Sequence, residues 1–166
     1  MPYQGTETLV FRSNTGETDT IFFLSRDTMW KYPNPYFGNK RYEIVQIICN
    51  HTSPTSLQQG YLKDEFVALG KRKKSAELKI SLAAKDAWYY RLRGIKLDSL
   101  KKIQPVNFKT QYGEYNDVYV FDDDDWMGNF HLRSNYITKL YWSKSHGVIR
   151  YDKKYVYWEL EKKLLQ

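Results

Sequence analysis

Polar and apolar positions alternate over residues 77–82: Leu78, Ile80 and Leu82 fall on one side, Glu77, Lys79 and Ser81 on the other. A half-buried strand needs this period of two, because successive side chains point to opposite faces of the pleat. The rhythm returns near the C-terminus, where Val156, Trp158 and Leu160 share a face. Residues 8–12 and 20–24 predict a hairpin around Asn14, Thr15, Gly16 and Glu17, with Asn and Gly supplying the turn. Residues 41–49 run through Ile44, Val45, Ile47, Ile48 and Cys49 and predict a strand covered on both faces. A further strand at 88–92 follows 77–82 across Ala84, Lys85 and Asp86. Residues 106–109 and 117–121 bracket Tyr112 and Gly113 as another hairpin. The C-terminus reads as a meander: 136–142, a turn at 144–147, 148–151, a turn at 152–154, then 155–160.

Two stretches depart from this rhythm. Over 56–69, Leu57, Tyr61, Phe66 and Leu69 have loose helical spacing. Gly60 would cost a helix interior about 1 kcal/mol against Ala, so the segment is read as strand, with a short helix as the alternative. Over 95–103, Ile95, Leu97, Leu100 and Ile103 alternate with lysines and predict one short helix. Between the strands, Pro33, Pro35 and Gly38 break the chain, while Trp30, Tyr32, Tyr36 and Phe37 give that loop apolar surface to pack. The pattern is mainly β, with about nine to ten short strands at hairpin spacing, at most two short helices and no βαβ rhythm. It predicts an antiparallel β-sandwich or a barrel-like curled sheet. The length of 166 residues is that of a single domain over 1–166.

Composition adds a core and a charge problem. Aromatic residues make up 17% of the chain, enough large side chains to fill a β core without a metal or disulfide. The single cysteine, Cys49, excludes an internal disulfide and reads as a small buried thiol. No apolar stretch approaches the roughly 20 residues of a membrane-spanning helix. The N-terminus read literally implies a cytoplasmic protein, and the short polar lead-in before Thr8 suits an ectodomain freed of its leader equally well. A net charge of +7 raises nucleic acid or an anionic membrane as partner. Most basic residues are scattered singly, however. The one run, Lys71, Arg72, Lys73 and Lys74, reads as an exposed loop, and the acidic run Asp122, Asp123, Asp124 and Asp125 opposes a uniform basic face. Nucleic-acid binding is therefore expected to be weak and non-specific, near ~10⁻⁴–10⁻⁶ M at physiological salt.

Candidate chemistry is sparse. Calcium loops alternate acids with a Gly and end on a distal Glu, whereas four adjacent aspartates diverge and read as a solvated loop. Trp126 and Phe130 flank that run and leave a sugar- or peptide-contacting loop open. His51, His131 and His146 have no metal-ligand spacing. Ser134 and Ser143 lack the context of a nucleophile elbow, and an Asp125–His131 hydrogen bond would still want a nucleophile. Glu43, Glu65, Glu77 and Glu159 are eligible for paired-carboxylate hydrolysis, but nothing in the pattern pairs them. Aromatics beside basic residues, as at Tyr89-Tyr90-Arg91 and Tyr141-Trp142-Ser143-Lys144, could stack bases but more commonly fill a β core. Asn50-His51-Thr52 is a glycosylation sequon by pattern, with meaning only in a eukaryotic secretory setting.

The segments Tyr115-Asn116-Asp117-Val118-Tyr119-Val120, Ile137 through Tyr151 (with Trp142-Ser143-Lys144-Ser145-His146-Gly147) and Tyr157-Trp158-Glu159-Leu160 form a recognisable ending. It resembles that of small secreted or lipid-anchored β-rich proteins of the Bacteroidota. The hairpin from Leu9-Val10-Phe11-Arg12-Ser13 to Asp19-Thr20-Ile21 is similar in style. The likeness covers about half the chain and departs from the group at Asp152-Lys153-Lys154-Tyr155, where an Asp-Gly turn is usual. It implies an extracytoplasmic location and carries over no catalytic residue. The expected function is a non-enzymatic binding or interaction domain, the ectodomain of a small bacterial surface or periplasmic protein. No catalytic, cofactor or metal residue is assigned. A protein or carbohydrate at the cell surface is the expected partner, and a membrane enters only through a removed N-terminal lipid anchor. The alternatives are an immunity-type or other protein-partner module and a basic oligonucleotide-binding domain.

Overall fold

Short turns between alternating segments favour antiparallel pairing, since parallel neighbours need a long crossover. Every ladder among the described residues is antiparallel. The structure, a computed structural model, describes residues 1–31, 42–51, 64–72, 75–84, 87–89, 94–122, 134 and 136–165. Its first half contains β1 (Glu7–Ser13), β2 (Thr18–Lys31), β3 (Tyr42–His51), β4 (Asp64–Arg72), β5 (Ser75–Ile80), β6 (Leu82–Ala84) and β7 (Ala87–Tyr89). Next come β8 (Ile95–Lys96) and the one-turn helix α1 (Leu97–Leu100). The second half contains β9 (Val106–Lys109), β10 (Glu114–Asp122), β11 (Lys139–Ser143), β12 (Gly147–Asp152) and β13 (Tyr157–Leu165).

Eleven strands form one sheet in the order β8-β5-β4-β3-β2-β1-β13-β12-β11-β10-β9. The first and last strands, β1 and β13, therefore lie side by side in the middle, and two meandering wings run outward from them. The outermost strands, β8 and β9, are near neighbours in sequence, so residues 97–105, with α1 at their start, pass from one edge of the sheet to the other. The sheet curls into a half-barrel, which decides between the two expected architectures. Bulges supply a cause. Register shifts fall at Val10/Phe11, Phe23/Ser25, Ile47/Ile48, Tyr141/Trp142 and Tyr115/Val118, and each bends its strand and adds twist.

The concave face is the core. Leu9 and Phe11 of β1, Ile47 of β3, Ile80 of β5, Leu140 of β11, and Tyr151 and Trp158 are all buried there. Tyr3, on the lead-in to β1, occupies the centre of the curl. Its ring meets Phe23 and Phe66 of one wing edge-on and Trp142 of the other. Its hydroxyl accepts the Val148 N–H at 2.6 Å. Burial raises the Tyr3 phenol far above its ordinary pKa, so it stays neutral. The lead-in is held by Glu7, whose carboxylate accepts the N–H groups of Gln4, Gly5 and Thr6 at 2.6, 2.7 and 3.0 Å.

Several sequence expectations shift in detail. Thirteen strands are present among the described residues, more than nine or ten. One reason is the 77–82 strand, which breaks at Ser81: its N–H turns to the Phe66 carbonyl, and β6 leaves to pair with β7 as a separate ribbon. The predicted helix over 95–103 is only α1, because Ile95 and Lys96 pair with Leu78 and Glu77 as an edge strand. The described part of 56–69 is strand, as read; the rest of that segment and the loop at 32–38 lie outside the described residues. Lys71 and Arg72 close β4 instead of forming a loop. The final turn is longer than expected: the Lys153 N–H bonds the Val156 carbonyl, so β13 opens at Tyr157. Ile80, Ile149, Trp158 and Cys49 are buried as read.

A candidate binding hollow under the edge-to-edge strap

Where the strap passes between the sheet edges it leaves a hollow of about 260 Å³, lined by eight apolar or aromatic residues and two lysines. Leu69 and Leu78 form one wall, from adjacent strands of the N-terminal wing, and are paired across β4 and β5. Tyr119 and Trp142 form the opposite wall and are paired across β10 and β11. Leu97 and Leu100 of α1 close the third side, and Met1 and Pro2 the fourth. The two-residue alternation puts each pair on the concave face. The i, i+3 spacing of Leu97 and Leu100 puts both on one side of the helical turn. Lys101 follows α1, and Lys144 stands on the turn between β11 and β12, so the two ammoniums arrive from opposite sides. Both lysines are exposed, as is Lys102 on the same strap. Lys101 reaches Asp98 at 3.1 Å across an exposed i, i+3 pair, an interaction worth at most about 1 kcal/mol.

A second concavity, about 490 Å³, is lined by Asn107, Phe108, Lys109, Glu114, Tyr115 and Asn116. All six belong to the β9–β10 hairpin, and Lys109 and Glu114 pair at 2.6 Å across it. With walls from one hairpin only, this groove is more open than the hollow.

One polar constellation looks catalytic in composition. Asp117, Ser143, Ser145 and His146 converge at the β11–β12 turn. The Ser143 hydroxyl donates to Asp117 at 2.6 Å, the Ser145 N–H donates to the other carboxylate oxygen at 2.8 Å, and His146 Nδ1 lies 3.3 and 2.8 Å from the two serine hydroxyls. Acyl-transfer triads run acid to imidazole to nucleophile. Here the acid is spent on serines, and the arrangement fastens the turn. Burial opposes ionisation of Asp117, but the Ser143 and Ser145 bonds outweigh it and hold the carboxyl below its usual range.

On the convex face Arg150 is the centre of a packed ionic cluster. Its guanidinium bonds Asp152 at 2.7 Å and buried Glu159 at 3.2 Å, and lies 3.9 Å from the Tyr157 ring centroid. Glu159 also accepts the Gln111 N–H at 2.9 Å. Burial and the neighbouring Asp152 push the Tyr141 phenol up to about 12. The cluster is filled by its own side chains.

The remaining sequence candidates do not assemble. Asp122 ends β10 as an exposed residue 3.9 Å from Lys139; Asp123 to Asp125, Trp126, Phe130 and His131 lie outside the described residues. Among the described residues no three His, Cys, Asp or Glu side chains are grouped to hold a metal. Glu43 and Glu77 are exposed, and Glu159 belongs to Arg150. Tyr89 is buried and donates to the Asp122 carbonyl at 3.2 Å, and Trp142 lines the hollow; Tyr90 and Arg91 lie outside the described residues. No helix among the described residues is long and apolar enough to cross a membrane.

Sequence reasoning missed the hollow itself. The one signal was the lysine-interleaved stretch 95–103, whose apolar positions do face inward at Leu97 and Leu100. Which strands stand opposite them depends on how far the sheet curls. Protein families, curated proteins and solved structures contain no match to this chain.

Proposed function

We propose that the chain is a non-enzymatic binding domain that holds an apolar ligand in the hollow beneath the strap. The observation that carries this reading is a concave hollow of about 260 Å³ lined by apolar side chains from both wings and the strap. Ligand sites are concave, predominantly apolar and marked by a few convergent polar groups, commonly at about 300–1,000 Å³; the hollow sits just below that range. The Asp117–Ser143–His146 grouping lacks the serial order of a triad, which favours binding over catalysis. The resemblance of the C-terminal third to secreted and lipid-anchored proteins supports a place outside the cytoplasm. The inward turn of Tyr89 and Trp142 weighs against an exposed base-stacking platform.

The test is a neutral fluorescent naphthylamine probe, N-phenyl-1-naphthylamine, titrated into the folded protein. Saturable binding at one site, lost in Leu97→Trp with the melting temperature retained, is expected. An absence of saturable enhancement in the wild type would refute the reading.

A further inference from the structure

We infer that the ligand of this hollow is a single-chain anionic amphiphile of the fatty-acid class, its chain between the two wings and its carboxylate at the strap. This rests on the hollow being a binding site and adds the chemical class. Three observations carry it. The first is size: a hollow of about 260 Å³ is small against the roughly 300–1,000 Å³ of common ligand sites. Its small size favours one alkyl chain over the two chains of a membrane lipid. The second is the lining. The walls offer leucines, Tyr119 and Trp142, which suit methylene groups, and the lysines are the charged residues that border the space.

The third is charge. Lys101 on the strap and Lys144 opposite are two cations lining the hollow, and among the described residues no acidic side chain lines it with them. Lys101 is tied to Asp98 only by an exposed pair, so a carboxylate delivered to the rim can take its place. Each lysine has a long apolar stem that can cover the chain's exposed end while its ammonium stays in water with the headgroup. A cationic headgroup would meet like charge there, and a neutral one would leave the ammoniums without benefit.

The experiment is displacement of N-phenyl-1-naphthylamine from the whole chain by decanoate, decanol and decyltrimethylammonium at equal chain length. Decanoate is expected to displace the probe at concentrations at least about tenfold lower than either analogue. Affinity along the saturated carboxylates should rise about fourfold per methylene and level off once the hollow is filled. In Lys101→Gln/Lys144→Gln the advantage of decanoate over decanol is expected to vanish. Both lysines are exposed, so the melting temperature should not move. If the probe binds and decanoate is no better than decanol, the amphiphile assignment falls and the hollow stands. If the probe does not bind at all, the hollow itself is not a site. Dialkyl phospholipid vesicles that compete as well as decanoate would overturn the single-chain assignment.

Discussion

Tyr3 packs directly against Gly147, where the lead-in passes between the two wings. Gly147 opens β12 with φ of +92°, a left-handed conformation, and a Cβ built there would overlap the Tyr3 ring and hydroxyl. Gly147→Ala therefore combines two costs. The left-handed backbone costs an L-residue about 1–2 kcal/mol, and forcing an atom into a packed core costs about 1–3 kcal/mol. The sum, about 2–5 kcal/mol, lowers the melting temperature by roughly 4–20 °C for a chain of this length. Gly16 separates the terms, because it has φ of +88° with nothing within 4 Å of a built Cβ. Gly16→Ala should show the backbone cost alone, about 1–2 kcal/mol. Tyr3→Ala, itself costing about 3–5 kcal/mol, removes the overlap, so Gly147→Ala in that background should cost no more than Gly16→Ala does. The assay is urea unfolding of the four variants of the cycle, read as midpoints at constant slope. A Gly147→Ala cost that is the same with and without the Tyr3 ring would refute the placement of the lead-in between the wings.

Three further perturbations follow from the buried polar groups and the core. Burial alone would raise the Glu7 carboxyl, but the N–H groups of Gln4 and Gly5 and the nearby Lys163 outweigh it and hold its pKa below 4.5. Its contribution is thus complete above the unfolded value and disappears as pH falls through the lower folded one. Glu7→Gln should cost about 1.5–3 kcal/mol at pH 7, with the gap to wild type closing below about pH 4; a gap constant down to pH 2 would contradict this. Arg150→Met leaves the carboxylate of Glu159, 7% exposed, without its cation. It should cost about 3 kcal/mol, of which Arg150→Met/Glu159→Gln recovers at least half; guanidinium melts of both read this out. Ile80→Ala, at 4% exposure on the concave face, should cost about 2–5 kcal/mol, and an unchanged melting temperature would remove Ile80 from the core.

Local chemistry determined much of this protein. The alternation over 77–82, the Asn14–Gly16 turn and the aromatic C-terminal meander prescribe antiparallel strands and name Ile80, Ile149 and Trp158 as core, because side-chain period and turn geometry act within a few residues. The apolar run at 41–49 likewise makes a central strand regardless of its neighbours. Tertiary structure decided what spans longer distances. Pairing of β1 with β13 joins residues about 150 positions apart, and no local pattern encodes which ends meet. Curl over sandwich follows from bulges, each a single extra residue whose position depends on how both strands pack. The short life of α1 is also a tertiary effect: Ile95 and Lys96 gain ladder hydrogen bonds with β5 that a longer helix would forfeit. The hollow is a product of all three, since its walls come from opposite wings and its cover from the strap that joins their edges. The sequence supplied leucines, aromatics and lysines in separate segments. Only the curvature of the sheet brought them around one space.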